Sequence, residues 1–135
     1  MWFLDRGVEI EHAISMMDKP PLERLSLVIW YIAKAGSIDR WERSLFAGRR
    51  EQLEFLSPED RRIILDKARE GKEIVIKLIR DCIEAGSISR HIDPSVTVQL
   101  VIGSINQIPA WYDEDGRFTP DQIAVSYTHL TLPTN

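Results

Sequence analysis

From Ile64 onward, apolar or small residues recur at alternating steps of four and three: Ile64, Ala68, Gly71, Val75, Leu78, Cys82 and Ala85. That is the period of one helix face. It predicts a helix of roughly 28 residues, about 42 Å long at 1.5 Å per residue. A helix of that length in a chain of 135 residues invites a partner along it, and Ala68, Gly71 and Ala85 would let a second backbone come close. A second stripe, Val98, Val101, Ile105, Ile108 and Tyr112, predicts a helix over residues 94–112. Pro109 falls inside that pattern, where it removes a hydrogen bond and should kink the helix near Ile105. Upstream, residues 22–33 are apolar nearly all round, as expected for a helix enclosed by others. Residues 38–56 place Trp41, Leu45, Phe46, Leu53 and Phe55 among Arg40, Arg43, Arg49 and Arg50.

The punctuation between these segments is helical as well. Ser57-Pro58, Asp93-Pro94 and Thr119-Pro120 each put a side-chain acceptor at the N-cap and a proline at the first helical position. Thr119 with Gln122 forms a capping box. Gly36, Gly86 and Gly116 stand where left-handed C-caps are expected. No segment alternates with period two over β-branched residues, so the sequence predicts an all-α fold with no sheet.

Composition narrows the chemistry. The chain is 44% apolar and 28% charged, the balance of a single ordinary domain. A net charge of −4, with acids interleaved among the bases, argues against this chain gripping a nucleic-acid backbone alone. One cysteine, Cys82, excludes an internal disulfide and a cysteine-based zinc site, and suits a cytoplasmic protein. The acidic N-terminus lacks a signal-peptide core, and no apolar run approaches a membrane span. Glu9, Glu11 and His12 read as a solvated helix face near the terminus rather than an acid/base cluster. Asp93 beside His91 is better used as an N-cap than in a dyad, and Cys82 reads as a small buried hydrophobe. No catalytic, cofactor or metal residues are assigned.

Residues 84–124 carry the most specific pattern. Gly86 and Ser87, Ile92 and Asp93, Gly103, Trp111 and Tyr112, Gly116, Thr119, and Ile123 and Ala124 follow one another in a way that resembles the C-terminal domain of TetR-family transcriptional regulators. The resemblance implies a TetR-like C-terminal helical bundle with a long helix pair for dimerisation, and a regulator, activator or repressor, rather than an enzyme. Residues 1–17 then resemble the end of the helix that connects to a DNA-binding domain, which in the family precedes this region and is absent from the chain. Residues 18–125 correspond to the effector-binding and dimerisation domain. Residues 126–135, SYTHLTLPTN, resemble translated sequencing-adapter DNA, so the native sequence is expected to stop near Val125.

The same resemblance implies partners: a small apolar effector of lipid, steroid or acyl-coenzyme A type, a second copy of the chain, and DNA only through the absent domain. Pocket candidates are Met16, Met17, Trp30, Tyr31, Trp41, Phe46, Ile105 and Pro109, which could equally fill the core. Arg40, Arg43, Arg49 and Arg50 are candidates for a rim meeting an anionic ligand head, or else a solvated helix face. The dimer interface is expected to use Ile64, Ala68, Gly71, Val75, Leu78, Cys82, Ala85, Val98, Val101, Ile105 and Tyr112. Two alternatives remain open, a helical enzyme or enzyme subunit using the same cavity and a helical dimerisation module without ligand.

Overall fold

The computed structural model describes residues 2–38, 54–113 and 115–131. In chain order these form α1 (Trp2–Ser15), α2 (Pro21–Ile38), α3 (Pro58–Glu84), α4 (Pro94–Asn106), the single turn α5 (Ile108–Trp111) and α6 (Pro120–Thr131). No strand occurs among the described residues. The fold is all-α, as the hydrophobic periods require.

Three of the described helices begin where the local chemistry favours it. Ser57 accepts from the Asp60 N–H at 3.1 Å at the start of α3. Asp93 Oδ1 accepts from the N–H groups of Ser95 (2.8 Å) and Val96 (3.0 Å) at the start of α4. Thr119 and Gln122 form the reciprocal box ahead of α6: the Thr119 N–H donates to Gln122 Oε1 at 2.9 Å, and the Gln122 N–H donates to Thr119 Oγ1 at 3.2 Å. In each case a helix-end donor that would lack a partner gains one.

The ends of the helices follow expectation less closely. Gly86 takes φ +78°, and the N–H groups of Ser87 and Gly86 return to the carbonyls of Cys82 (2.9 Å) and Ile83 (3.1 Å). This is a Schellman closure, which needs a residue that tolerates the left-handed region. Gly36 does not cap α2, which runs through it to Ile38. Gly116 closes a turn onto the Asp113 carbonyl at 2.9 Å without a positive φ. The expected kink near Ile105 is instead an interruption. Helix α4 ends at Asn106, Gln107 serves as its C-cap, and Pro109 lies in the first turn of α5, where its missing N–H leaves no helical bond unmade.

Helix α2 lies at the centre. Leu25, Val28, Ile29 and Ala33 are fully enclosed, because α2 packs against α6 along its length and against α3 and α1 on its other sides. Helix α3 contributes Val75, Leu78, Ile79 and Cys82 to the same core, α4 contributes Val98, Val101 and Ile105, and α6 contributes Ile123 and Ala124. At about 1.5–3 kcal/mol for each large aliphatic side chain buried, this shared core holds the helices together. Polar links lie at its edges. Arg24 of α2 donates to the carbonyls of Ser15 (2.7 Å) and Lys19 (3.0 Å), stitching the end of α1 to the start of α2. Lys34 of α2 pairs with Asp121 of α6 at 2.9 Å while lying 4.7 Å from the Trp30 ring centre.

Helix α6 runs through Ser126 to Thr131. Ser126 and Thr128 donate their hydroxyls back to the Gln122 and Ala124 carbonyls, at 2.9 and 2.8 Å. Tyr127 packs against the core and donates to the Ser104 carbonyl at 2.8 Å.

Candidate functional site

The α3 stripe turns inward. Ile64, Val75, Leu78 and Cys82 are buried within the chain, as are Val98, Val101 and Ile105 of α4, and Tyr112 is half-buried. Side chains already enclosed by their own helices cannot also face a second chain, so Ile64, Val75, Leu78, Cys82, Val98, Val101 and Ile105 belong to the core. Gly71 faces α1: a Cβ built on it would stand 2.8 Å from Glu11 Oε2. Ala68 and Ala85 are exposed, and Ala85 is the C-cap of α3. The sequence period revealed burial but not which molecule supplied the cover.

With that stripe assigned to the core, α4 shows a second apolar face. Val96 (60% exposed) and Leu100 (71% exposed) stand one turn apart, followed by Gly103, around whose Cβ position nothing lies within 4 Å. The steps of four and three put all three residues on one side of the helix. Sequence reasoning passed over this face because the neighbouring Val98, Val101 and Ile105 stripe is the more regular. Trp111, Phe118 and Leu65 are further large exposed hydrophobics.

The described pocket candidates differ in their surroundings. Met16 and Met17, at 68% and 45% exposure, lie in the turn after α1 and face solvent rather than line a cavity. Trp30 and Tyr31 are half-buried on α2, and Ile105 is part of the core of α4. The side chain of Pro109 lies outside the described residues, as do Trp41, Phe46, Arg40, Arg43, Arg49 and Arg50. A groove of about 600 Å³ runs between α1 and α3, with Val8 and Ile74 at its base and Glu9, His12, Lys67 and Glu70 along its edges. A smaller hollow of about 340 Å³ lies beside the start of α2, at Leu22, Ser26 and Leu27.

Of the ionisable residues near the N-terminus, Glu9 and His12 are exposed as expected, but Glu11 is not. It is 7% exposed, and its Oε2 has no hydrogen-bond partner. Burial pushes its carboxyl from 4.5 to about 7, because an uncharged acid loses less hydration than a carboxylate. Nothing in the sequence around Glu9 and His12 marks Glu11 for burial. Cys82 behaves as its stripe position implied. Burial, with the nearby Asp81 charge adding to it and Arg24 opposing, raises its thiol to about 11, so it stays protonated and unreactive. Burial also raises the Tyr127 phenol, while a hydrogen bond from the Trp111 side chain acts the other way. Among the described residues no cluster of His, Cys, Asp or Glu could hold a metal ion, and no helix is long and apolar enough to cross a membrane.

Comparisons with known proteins give this arrangement a context. The model of the family described as Tetracyclin repressor-like, C-terminal domain matches residues 18–134. No curated protein sequence matches. A transcriptional regulator of the TetR/AcrR family from Thermobifida fusca superposes with a TM-score of 0.83 at 26% identity, over 96% of this chain and 66% of that one. The TetR family transcriptional regulator PfmR from Thermus thermophilus gives 0.79 at 21% identity, over 96% and 68%. AibR, solved in complex with isovaleryl coenzyme A and operator DNA, gives 0.77 at 19% identity, over 98% and 72%. The chain thus spans about two thirds of the length of these solved relatives. They are regulators, and the enzyme alternative finds no counterpart among them. The chain belongs to the TetR family of transcriptional regulators and forms its C-terminal domain.

Proposed function

We propose that this chain is the effector-binding and dimerisation domain of a TetR-like regulator, and that it senses a largely apolar molecule of lipid, steroid or acyl-coenzyme A type. The observation that carries this reading is the family match over residues 18–134. The acyl-thioester option draws on the likeness to AibR, which was solved with isovaleryl coenzyme A. The effector would lie among α1, α2, residues 38–56 and residues 94–112. Trp30, Tyr31, Trp41 and Phe46 would supply apolar wall, and Arg40, Arg43, Arg49 and Arg50 would meet an anionic head through bidentate contacts. Helix α1 would transmit the change: an effector that binds better to one α1 position shifts the population toward it and re-spaces two DNA-binding heads. Dimerisation would use the exposed Val96, Leu100 and Gly103 face of α4, in an isologous contact with a second copy.

The test is a titration of the protein with coenzyme A thioesters of graded acyl length, free fatty acids and sterols. Tryptophan fluorescence and thermal stability are the readouts. Saturable binding of one class without turnover is the expected result. Silence across the panel contradicts the ligand assignment, and turnover of any hit restores the enzyme alternative.

A further inference from the structure

Helix α1 meets the bundle through one face, on which Gly7 and Glu11 are buried and Ile14 packs against the core. The middle position of that face is a carboxylic acid. It is accommodated because Gly71 of α3 lacks a side chain there: Glu11 Oε2 occupies the space a Cβ would need, 2.8 Å from its position, with Cδ and Oε1 at 3.7 and 3.8 Å. The acid is enclosed, yet Oε2 has no hydrogen-bond partner. A buried carboxyl with nothing to bond is costly, and far more so ionised than neutral.

Several charged groups of the elements packed around α1 are engaged elsewhere. On α2, Arg24 is held by the Ser15 and Lys19 carbonyls. On α3, Lys67 pairs with Glu70 at 3.4 Å, and Arg61 reaches the Leu56 carbonyl. Glu73 and Arg69 line the outer groove with Glu9 and His12 of α1, while Lys72, adjacent to Gly71, is half-buried. None of them hydrogen-bonds Glu11 Oε2, so no cation is fixed on that oxygen.

We propose that Glu11 in its Gly71 niche makes the docking of α1 onto α3 depend on protonation, with the neutral acid seated in the interface and the carboxylate drawn out toward water. Burial places the change near neutrality, since the docked carboxyl titrates at about 7. The undocked side chain would titrate near its ordinary value, so the docked form binds the extra proton. Docking is therefore strongest below the ordinary carboxyl range and weakens as pH rises toward the docked value. The inference concerns α1 and α3 alone. It draws on the proposed function only in giving a displacement of α1 a consequence at DNA.

Amide hydrogen exchange on this chain tests it. Exchange of α1 amides is corrected for the intrinsic effect of pH and referred to amides of α3. In the wild type, α1 protection should fall roughly tenfold or more between about pH 5.5 and about pH 8. Glu11→Gln, a permanent mimic of the neutral acid, should remove that dependence. His12→Gln should retain it, which separates Glu11 from the adjacent imidazole. A wild-type profile independent of pH overturns the proposal without recourse to any variant. So does a dependence that survives Glu11→Gln with α3 still protected, or one that disappears in His12→Gln.

Discussion

Replacing Gly71 by alanine tests the α1–α3 contact at its closest point. Gly71 lies in the interior of a 27-residue helix, where alanine is favoured over glycine by about 1 kcal/mol. Opposing this is one atom. The new methyl carbon would meet Glu11 Oε2 at 2.8 Å, whereas the next atoms, at 3.7 and 3.8 Å, are already at ordinary contact distance. That oxygen ends a flexible side chain and no hydrogen bond holds it. A turn about the last torsion, which is broad in glutamate, moves it aside by roughly half an ångström for less than about 1 kcal/mol. The gain should prevail, and Gly71→Ala should stabilise the protein by up to about 1 kcal/mol. Gly71→Val adds two methyl groups that must press on α1 itself, and overpacking of that kind costs about 1–3 kcal/mol. Urea unfolding followed by helical circular dichroism, at one protein concentration and one pH, measures both. A loss of more than about 1 kcal/mol in Gly71→Ala would mean that the Glu11 carboxyl is held firmly, and the reasoning from a yielding niche would fail.

Three further outcomes follow from the same structure. Asp93→Ala removes the acceptor of two helix-start N–H groups and should cost about 1–2 kcal/mol in urea unfolding; no loss would show that α4 starts elsewhere. Tyr127→Phe deletes the bond to the Ser104 carbonyl and should cost about 1 kcal/mol; an unchanged midpoint would show that this bond contributes nothing to stability. Leu100→Arg places a charge on the exposed face of α4 and should convert a dimer to monomer in sedimentation without loss of helix. A dimer that survives it would rule that face out.

What could be read in the sequence divides by range. The starts of α3, α4 and α6 were legible because an N-cap involves residues only two or three positions apart. Gly86 was legible for the same reason, since its closure reaches back only to Cys82 and Ile83. Gly36 was misread: a glycine near the end of an apolar run permits a cap without enforcing one, and α2 continues through it. The length of α3 was legible from its stripe, but the stripe could not say whether α2 and α4 of the same chain or a second chain would cover it. Glu11 was illegible for a related reason. Beside Glu9 and His12 it looks like part of a solvated face, and what buries it is Gly71, sixty residues away. Residues 40–50, which hold the rim arginines and two of the pocket aromatics, rest on the sequence expectation alone.

The central claim is that this domain links effector binding to release of DNA. The most direct measurement is the affinity of operator DNA for a longer regulator that carries this domain behind its DNA-binding region, taken with and without a saturating effector identified in the ligand panel. The account predicts that the effector weakens operator binding by roughly tenfold or more, on the scale of an ordinary coupling energy, and that operator weakens effector binding by the same factor. An effector that saturates the domain while leaving operator affinity unchanged would contradict it.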